Sequence, residues 1–109
     1  MSFQTSSRDI TLDNDGHTLR AYCLTPGGDY KPSSIDLNNY IGNSDGQFVW
    51  GSTDYIKTAA KVALSGVKLS ANLTRDEGSV HLGAVIHLGD RIENDNGQLK
   101  YEPGNKSAE

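Results

Sequence analysis

The segment from Ile35 to Trp50 comes back. Ile86 lies 51 residues beyond Ile35, and at that offset Leu37 matches Leu88, Ile41 matches Ile92, Asn43 matches Asn94 and Gly46-Gln47 matches Gly97-Gln98. Trp50 falls opposite Tyr101. A chain of 109 residues leaves little room for such agreement by chance, so the unit to explain is a duplicated module of about fifty residues. Neither copy would bury enough apolar surface alone, and the two must share one core.

Taken in order, the chain reads as short strands separated by turns. Ser6 to Asp9 is polar and without usable periodicity. Ile10-Thr11-Leu12 alternates, Asp13-Asn14-Asp15-Gly16 is a turn of residues that accept positive φ, and Leu19 to Cys23 alternates again. That is a hairpin with Leu19, Ala21 and Cys23 on one face, which makes Cys23 a small buried hydrophobe. A turn at Thr25-Pro26-Gly27-Gly28-Asp29 leads to a strand over Ser33 to Leu37. Asn38 to Asp45 is expected to be a tight helical turn feeding the Asp45-Gly46 reversal, with Gln47 to Trp50 extended beyond it. Gly51-Ser52-Thr53-Asp54 joins the copies.

The second copy repeats this with slips in register. Val62 and Leu64 stand for Ile10 and Leu12 at an offset of 52, and Leu69 to Leu73 stand for Leu19 to Cys23 at an offset of 50. Arg75 to Ser79 is the counterpart turn. Strict alternation from Val80 to Leu88 would place Leu82, Ala84, Ile86 and Leu88 on one side and His81 and His87 on the other. Asp54 to Ala63 has a helical look, good for a turn or two behind a cap at Thr53 or Asp54. Residues 103–109, rich in breakers, are expected to be a disordered tail. The expected class is all-β, with some eight to ten short strands.

Composition narrows the function. The net charge of −4, from 10 basic and 14 acidic residues, provides no cationic field for nucleic acid. No apolar run is long enough to span a membrane, and the first residues lack the charged and apolar regions of a signal peptide. A cytoplasmic location is the expectation, with export by an unconventional route compatible with it. The single cysteine agrees, since small secreted all-β domains usually carry paired ones.

The run Ser33-Ser34-Ile35-Asp36-Leu37-Asn38, followed by Ile41, Asn43, Asp45-Gly46 and Trp50, and later by Ile92, Asn94, Gly97 and Leu99-Lys100-Tyr101, closely resembles the cyanovirin-N homology (CVNH) family from Phe3 to Glu102. The resemblance implies two pseudo-symmetric tandem repeats, each a three-stranded antiparallel sheet plus a β-hairpin with short helical turns, with segments exchanged between halves. It implies one domain over residues 1–102, half A being about 1–40 plus 92–102 and half B about 41–91. It also implies a lectin, whose best-known relative recognises terminal α1,2-linked mannose of high-mannose glycans. The founding type has a disulfide in each half; the matching positions here are Ser7 with Cys23 and Ala59 with Leu73, and neither bridge can form. The few kilocalories per mole a bridge often contributes must then come from packing. The founding type also has a proline in the link, which here reads Gly51-Ser52-Thr53. A monomer is expected, with a domain-swapped dimer as the other accessible state.

Sugar hydroxyls both donate and accept on adjacent carbons, so a site needs carboxylates, amides and backbone groups that engage two at once. In the family pattern the first site takes Gln4, Thr5, Ser6, Leu24, Thr25, Glu93, Asn94 and Asp95. The second takes Gly42, Asn43, Ser44, Asp45, Thr53, Asp54, Lys57, Thr58, Thr74, Arg75, Asp76 and Glu77. Glu93 has Gly42 as its repeat mate, and Lys57 stands where an acid is common, so the first site is expected to be the stronger and the second weak or absent. Without the resemblance, Glu93 and Asp95 read as a solvated turn. Asn43 and Asn94 read as amides that cap their own turns and hold the next strand, a role compatible with binding through their backbone. Trp50 and Tyr101 read as core or interface aromatics rather than stacking platforms.

Other chemistries fit poorly. His81 and His87, six residues apart on an extended strand, are about 20 Å from each other and cannot share a metal. Asp13-Asn14-Asp15-Gly16 lacks the glycine and glutamate spacing of a calcium loop. A glycosidase needs two carboxyl groups about 5 to 10 Å apart across a cleft, and so small a domain gives little cleft in which to raise an acid's pKa. The expected function is binding of mannose-containing oligosaccharides or glycoproteins, without catalysis, cofactor or metal. The rival is a protein-interaction module on the same fold that has lost sugar binding.

Overall fold

The computed structural model describes residues 3–103, with Gln4 described by its backbone alone. After a 3-10 turn at Phe3–Thr5, strands β1 (Ser7–Leu12), β2 (Thr18–Leu24) and β3 (Tyr30–Asp36) form an antiparallel sheet in that order. A 3-10 turn at Leu37–Asn39 leads to a hairpin of β4 (Ile41–Ser44) and β5 (Gln47–Trp50). The second copy repeats the plan. A 3-10 turn at Tyr55–Thr58 precedes the sheet of β6 (Ala59–Ser65), β7 (Lys68–Thr74) and β8 (Val80–His87). Another at Leu88–Asp90 precedes the hairpin of β9 (Ile92–Asp95) and β10 (Gln98–Tyr101). The fold is all-β, as expected.

The hairpins are exchanged. β10 packs beside β3, and β5 packs beside β8, so each sheet is completed by the hairpin of the other repeat. The core follows the repeat: Leu19, Cys23, Leu69 and Leu73 on the middle strands are fully buried, as are the mates Phe3 and Tyr55, Leu37 and Leu88, and Ile41 and Ile92. These pairs are where duplicated apolar positions meet, and burial of each side chain stabilises the fold by about 1.5–3 kcal/mol before entropy is counted. Trp50 and Tyr101 lie partly buried against this core. Their rings are 5.9 Å apart, and Tyr40 stacks on Tyr101 at 4.6 Å.

Ser7 pairs with Cys23 and Ala59 with Leu73 across their sheets, the register a cross-strand bridge would need. Instead the Ser7 hydroxyl lies 3.4 Å from Cys23 Sγ, and Ala59 packs against the cluster of Ala71, Leu73 and Ala84. Packing stands where the bridges would.

Four expectations need correction or sharpening. β1 already starts at Ser7, and its lack of periodicity has a cause: pairing with β2 shifts between Arg8 and Thr11, and Asp9 sits at φ 54, so alternation breaks at a bulge. The same bulge recurs in β6 around Lys61, at φ 53, and the helical look of 54–63 resolves into the 3-10 turn followed by strand. Asn38 to Asp45 is not one turn: the 3-10 segment ends at Asn39 and β4 begins at Ile41. In β8, Leu82 is 72 % exposed, whereas Ala84, Ile86 and Leu88 are buried. Pairing with β7 shifts between Ala71 and Leu73, with Gly83 at φ +75, and this extra residue reverses the alternation. His81 therefore turns inward while His87 stays exposed, and they do not share a face. The expected tail lies mostly outside the described residues, which end at Pro103.

The turn between β1 and β2 is organised by Asp15. Its carboxylate accepts from the Thr18 hydroxyl at 2.7 Å and from the backbone N–H groups of His17 and Thr18 at 2.9 Å. These bonds, the Thr18 hydroxyl foremost, hold its pKa down at about 2. A carboxylate depressed in the folded state contributes stability that is present above about pH 4 and is lost as the pH falls towards 2. Urea unfolding midpoints should drop across that window, and Asp15→Asn should make them flatter. An Asp15→Asn curve as steep as that of the parent protein would rule this turn out as a source of acid sensitivity.

Candidate functional site

Each hairpin is fastened by one asparagine. Asn94 leaves β9 with its amide nitrogen donating to the Leu24 carbonyl at 2.9 Å, to Ser6 Oγ at 3.0 Å and to the Ser6 carbonyl at 3.3 Å, while its Oδ1 accepts from Gly97 N at 2.8 Å. Asn43 repeats the device. Its amide donates to Thr58 Oγ1 and to the Thr74 carbonyl, both at 2.8 Å, and its Oδ1 accepts from Gly46 N at 2.8 Å. One side chain thus closes its own hairpin turn and ties that hairpin to two segments of the neighbouring sheet and its leading 3-10 turn. The capping role expected from sequence is present; the ties across the chain were not legible there.

Around Asn94 the first set converges. Ser6 and Leu24 are its bonding partners, and they are tied to each other by the bond from Leu24 N to the Ser6 carbonyl at 2.9 Å. Thr25 opens the β2–β3 turn, with Oγ1 accepting from Asp29 N, and its methyl lies where a Cβ at Gly97 would fall. Only glycine, here at φ +96, lets the hairpin tip sit so close. Glu93, half-buried, and the exposed Asp95 lie on β9 on either side of Asn94, and Thr5 is exposed in the leading turn. Lys100, which sequence reasoning did not single out, has Nζ 3.8 Å from Asp95 and 3.7 Å from Glu102. These contacts are solvent-exposed and worth little for stability, but they set one cation beside two carboxylates. The Gln4 side chain lies outside the described residues.

The second set converges around Asn43 in the same manner. Thr58 and Thr74 are its partners, the exposed Ser44 and Asp45 form the hairpin tip, and Asp45 Oδ1 accepts from Asp76 N at 3.0 Å. Arg75 passes under Gly46, and its Nη1 donates to Ser79 Oγ at 3.3 Å, a hydroxyl that itself donates to Glu77 at 2.7 Å. His81, which strict alternation turns away from the core, donates from Nδ1 to the Gly46 carbonyl at 2.6 Å. Its only advance signal was the glycine inside β8, a common mark of a bulge. Lys57 is exposed, its Nζ 3.9 Å from Asp54.

The repeat mates Glu93 and Gly42 differ for a structural reason. Gly42 is buried beneath the link: a Cβ there would lie 2.5 Å from Ser52 Cβ and 3.0 Å from the Thr53 carbonyl. The link is held down by bonds from Gly51 N to the Tyr40 carbonyl and from Asp54 N to the Asn38 carbonyl, each 2.8 Å. Asn38 Nδ2 adds a bond to Asp54 Oδ1 at 3.1 Å. Thr53 and Asp54 therefore serve the joint between the repeats, and the link occupies the volume that a side chain at Gly42 would need.

Chemically, each set offers carboxylates, hydroxyls and amide groups to a polar ligand. Among the described residues no group of three or more His, Cys, Asp or Glu side chains is placed to hold a metal ion. The CVNH domain family matches residues 3–100. A Cyanovirin-N homolog from Tuber borchii is 35 % identical over 104 residues, covering 94 % of this chain and 100 % of that one. Among solved structures, a designed Cyanovirin-N homolog lectin, LKAMG, superposes with a TM-score of 0.86 at 36 % identity, covering 94 % of this chain and 100 % of that one. A MoCVNH3 variant solved in complex with (N-GlcNAc)4 has a TM-score of 0.83 at 28 % identity, over 91 % of this chain and 95 % of that one. The microvirin:mannobiose complex has a TM-score of 0.80 at 25 % identity, over 92 % and 97 %.

Proposed function

The chain belongs to the CVNH domain family, a lectin family, and on that premise we propose that it recognises α1,2-linked mannose of high-mannose glycans, without catalysis, through the set built on Glu93, Asn94 and Asp95. The observation that carries the choice of site is the contrast between Glu93, half-buried beside Asn94, and Gly42, whose space the link fills. A carboxylate at this place accepts from two vicinal hydroxyls with charge-assisted bonds, each worth about 1.5–3 kcal/mol against about 1 for a neutral one. The second set has no equivalent side chain at Gly42 and carries Lys57 nearby.

The neighbours that support a sugar ligand carry different sugars, mannobiose for microvirin and (N-GlcNAc)4 for the MoCVNH3 variant. The choice of mannose rests on the resemblance to the founding type. Calorimetric titration with α1,2-mannobiose tests it. Glu93→Ala should weaken binding about tenfold or more with the fold intact, whereas Lys57→Ala should change it little. Unchanged affinity in Glu93→Ala would remove that residue from the site, and silence of the parent protein towards mannobiose and chitotetraose alike would favour an interaction module on this fold.

A further inference from the structure

The β1-β2-β3 sheet carries on its outer face a depression of about 420 Å³ that neither asparagine-centred set uses. Asp9, Thr11, Arg20, Tyr22, Pro32 and Ser34 line it. Tyr22 is 45 % exposed, paired in register with Arg8 on one side and Pro32 on the other, while its neighbours Ala21 and Cys23 point into the core. Its ring is therefore a platform on the sheet, not a piece of packing. Arg20 is held by its Nε, 2.8 Å from both Asp13 oxygens, which fixes the guanidinium and leaves its Nη donors without a partner among the described residues. Asp9 stands exposed on the bulge at φ 54.

The second repeat shows that the fold does not require this set. Its inner face keeps Leu69, Ala71 and Leu73 for Leu19, Ala21 and Cys23, but the outer face has Lys61 for Asp9, Ala63 for Thr11, Ser70 for Arg20 and Asn72 for Tyr22. Asn72 spends its Oδ1 on Gly83 N, closing the bulge in β8. Side chains that the same architecture does without, gathered around one depression, point to a ligand.

We propose that this face is a separate saccharide platform for β-linked, gluco-configured pyranose chains. With every ring hydroxyl equatorial, such a sugar has a flat C–H face that stacks on an exposed tyrosine. Its adjacent equatorial hydroxyls match a carboxylate that accepts two bonds, the role of Asp9, while Arg20 donates to a hydroxyl or ring oxygen. The open, sheet-mounted depression lets a chain enter and leave.

Cellotriose titrated into ¹⁵N-labelled protein tests this. Saturable amide shifts are expected at Thr11, Arg20, Tyr22 and Ser34. Tyr22→Ser should weaken them about fivefold or more. Asp9→Asn, which keeps a residue tolerant of positive φ, should weaken them several-fold. Both variants should keep the parent's spectrum elsewhere and its response to α1,2-mannobiose near Glu93. Absence of shifts on this face, or shifts that survive Tyr22→Ser unchanged, would overturn the proposal. A protein silent to mannobiose but responsive here would sink the mannose reading alone.

Discussion

Asn94→Ala is expected to destabilise the fold by about 3 kcal/mol, a large share of the 5–15 kcal/mol typical of a domain this size. The substitution deletes an amide that makes four hydrogen bonds, and it takes that partner from the Leu24 carbonyl, the Ser6 hydroxyl and the N–H of Gly97, while the Ser6 carbonyl keeps its bond from Leu24 N. A net bond contributes about 1 kcal/mol, while a polar group left unsatisfied in a part-buried place costs about as much again. The melting temperature should fall by roughly 12 °C or more. Asn94→Asp separates the two halves of the amide: it keeps the acceptor for Gly97 N but turns a carboxylate towards two carbonyls, so it should be destabilised comparably. Asn43→Ala should behave alike, since its bonds to Thr58, Thr74 and Gly46 have the same plan. Unfolding free energies from urea titration within about 0.5 kcal/mol of the parent for both alanine variants would deny the asparagines their structural role.

The second large effect is expected at Gly42. Gly42→Ala places a methyl group 2.5 Å from Ser52 Cβ and 3.0 Å from the Thr53 carbonyl. Those atoms belong to a link held from both sides by Tyr40 and Asn38, so they cannot simply move away. A cost of about 3 kcal/mol is in the range of overpacking a well-filled site. Ser52→Gly removes the nearer obstacle, and the double variant should recover more than half of the loss, a coupling that a double-mutant cycle measures directly. Gly42→Glu, the substitution that would copy Glu93 into the first repeat, should be at least as damaging and should not create a second sugar site. Wild-type stability in Gly42→Ala would show that the link yields, and the explanation of the asymmetry would fail with it.

Much of this molecule is legible from the repeat. The inner faces of β2 and β7, the buried mates Ile41 and Ile92, and the turn-capping asparagines all follow from matching one copy to the other. What alternation could not anticipate is where it stops. An extra residue at Leu82-Gly83 absorbs the change of offset from 50 to 51 along β8, and in doing so exposes Leu82 and turns His81 towards Gly46. Bulges at Asp9 and Lys61 hid the starts of β1 and β6 in the same way. A period-two reading has no term for a single inserted residue, although that residue reverses every side chain after it.

The candidate sites divide along the same line. The resemblance to the CVNH family is what groups Ser6, Leu24, Glu93 and Asn94, with Thr58, Thr74, Gly42 and Asn43 as their repeat mates; residue types alone leave Glu93 in a solvated turn. Lys100 beside Asp95 was not anticipated, because nothing in a strand's local pattern says which partner its side chain will meet.

The amino-acid sequence by itself determined that this chain is a duplicated all-β unit whose two copies share a core, since duplicated apolar positions at a period of two admit few other arrangements. Tertiary structure alone decided that Gly42 lacks a side chain because the link between the repeats lies on top of it, and it set which strands meet, β10 with β3 and β5 with β8, in the exchange that the family resemblance implies. The reason is physical. Two copies with the same local preferences can differ only through what surrounds them, and a link that follows the first copy excludes a side chain there.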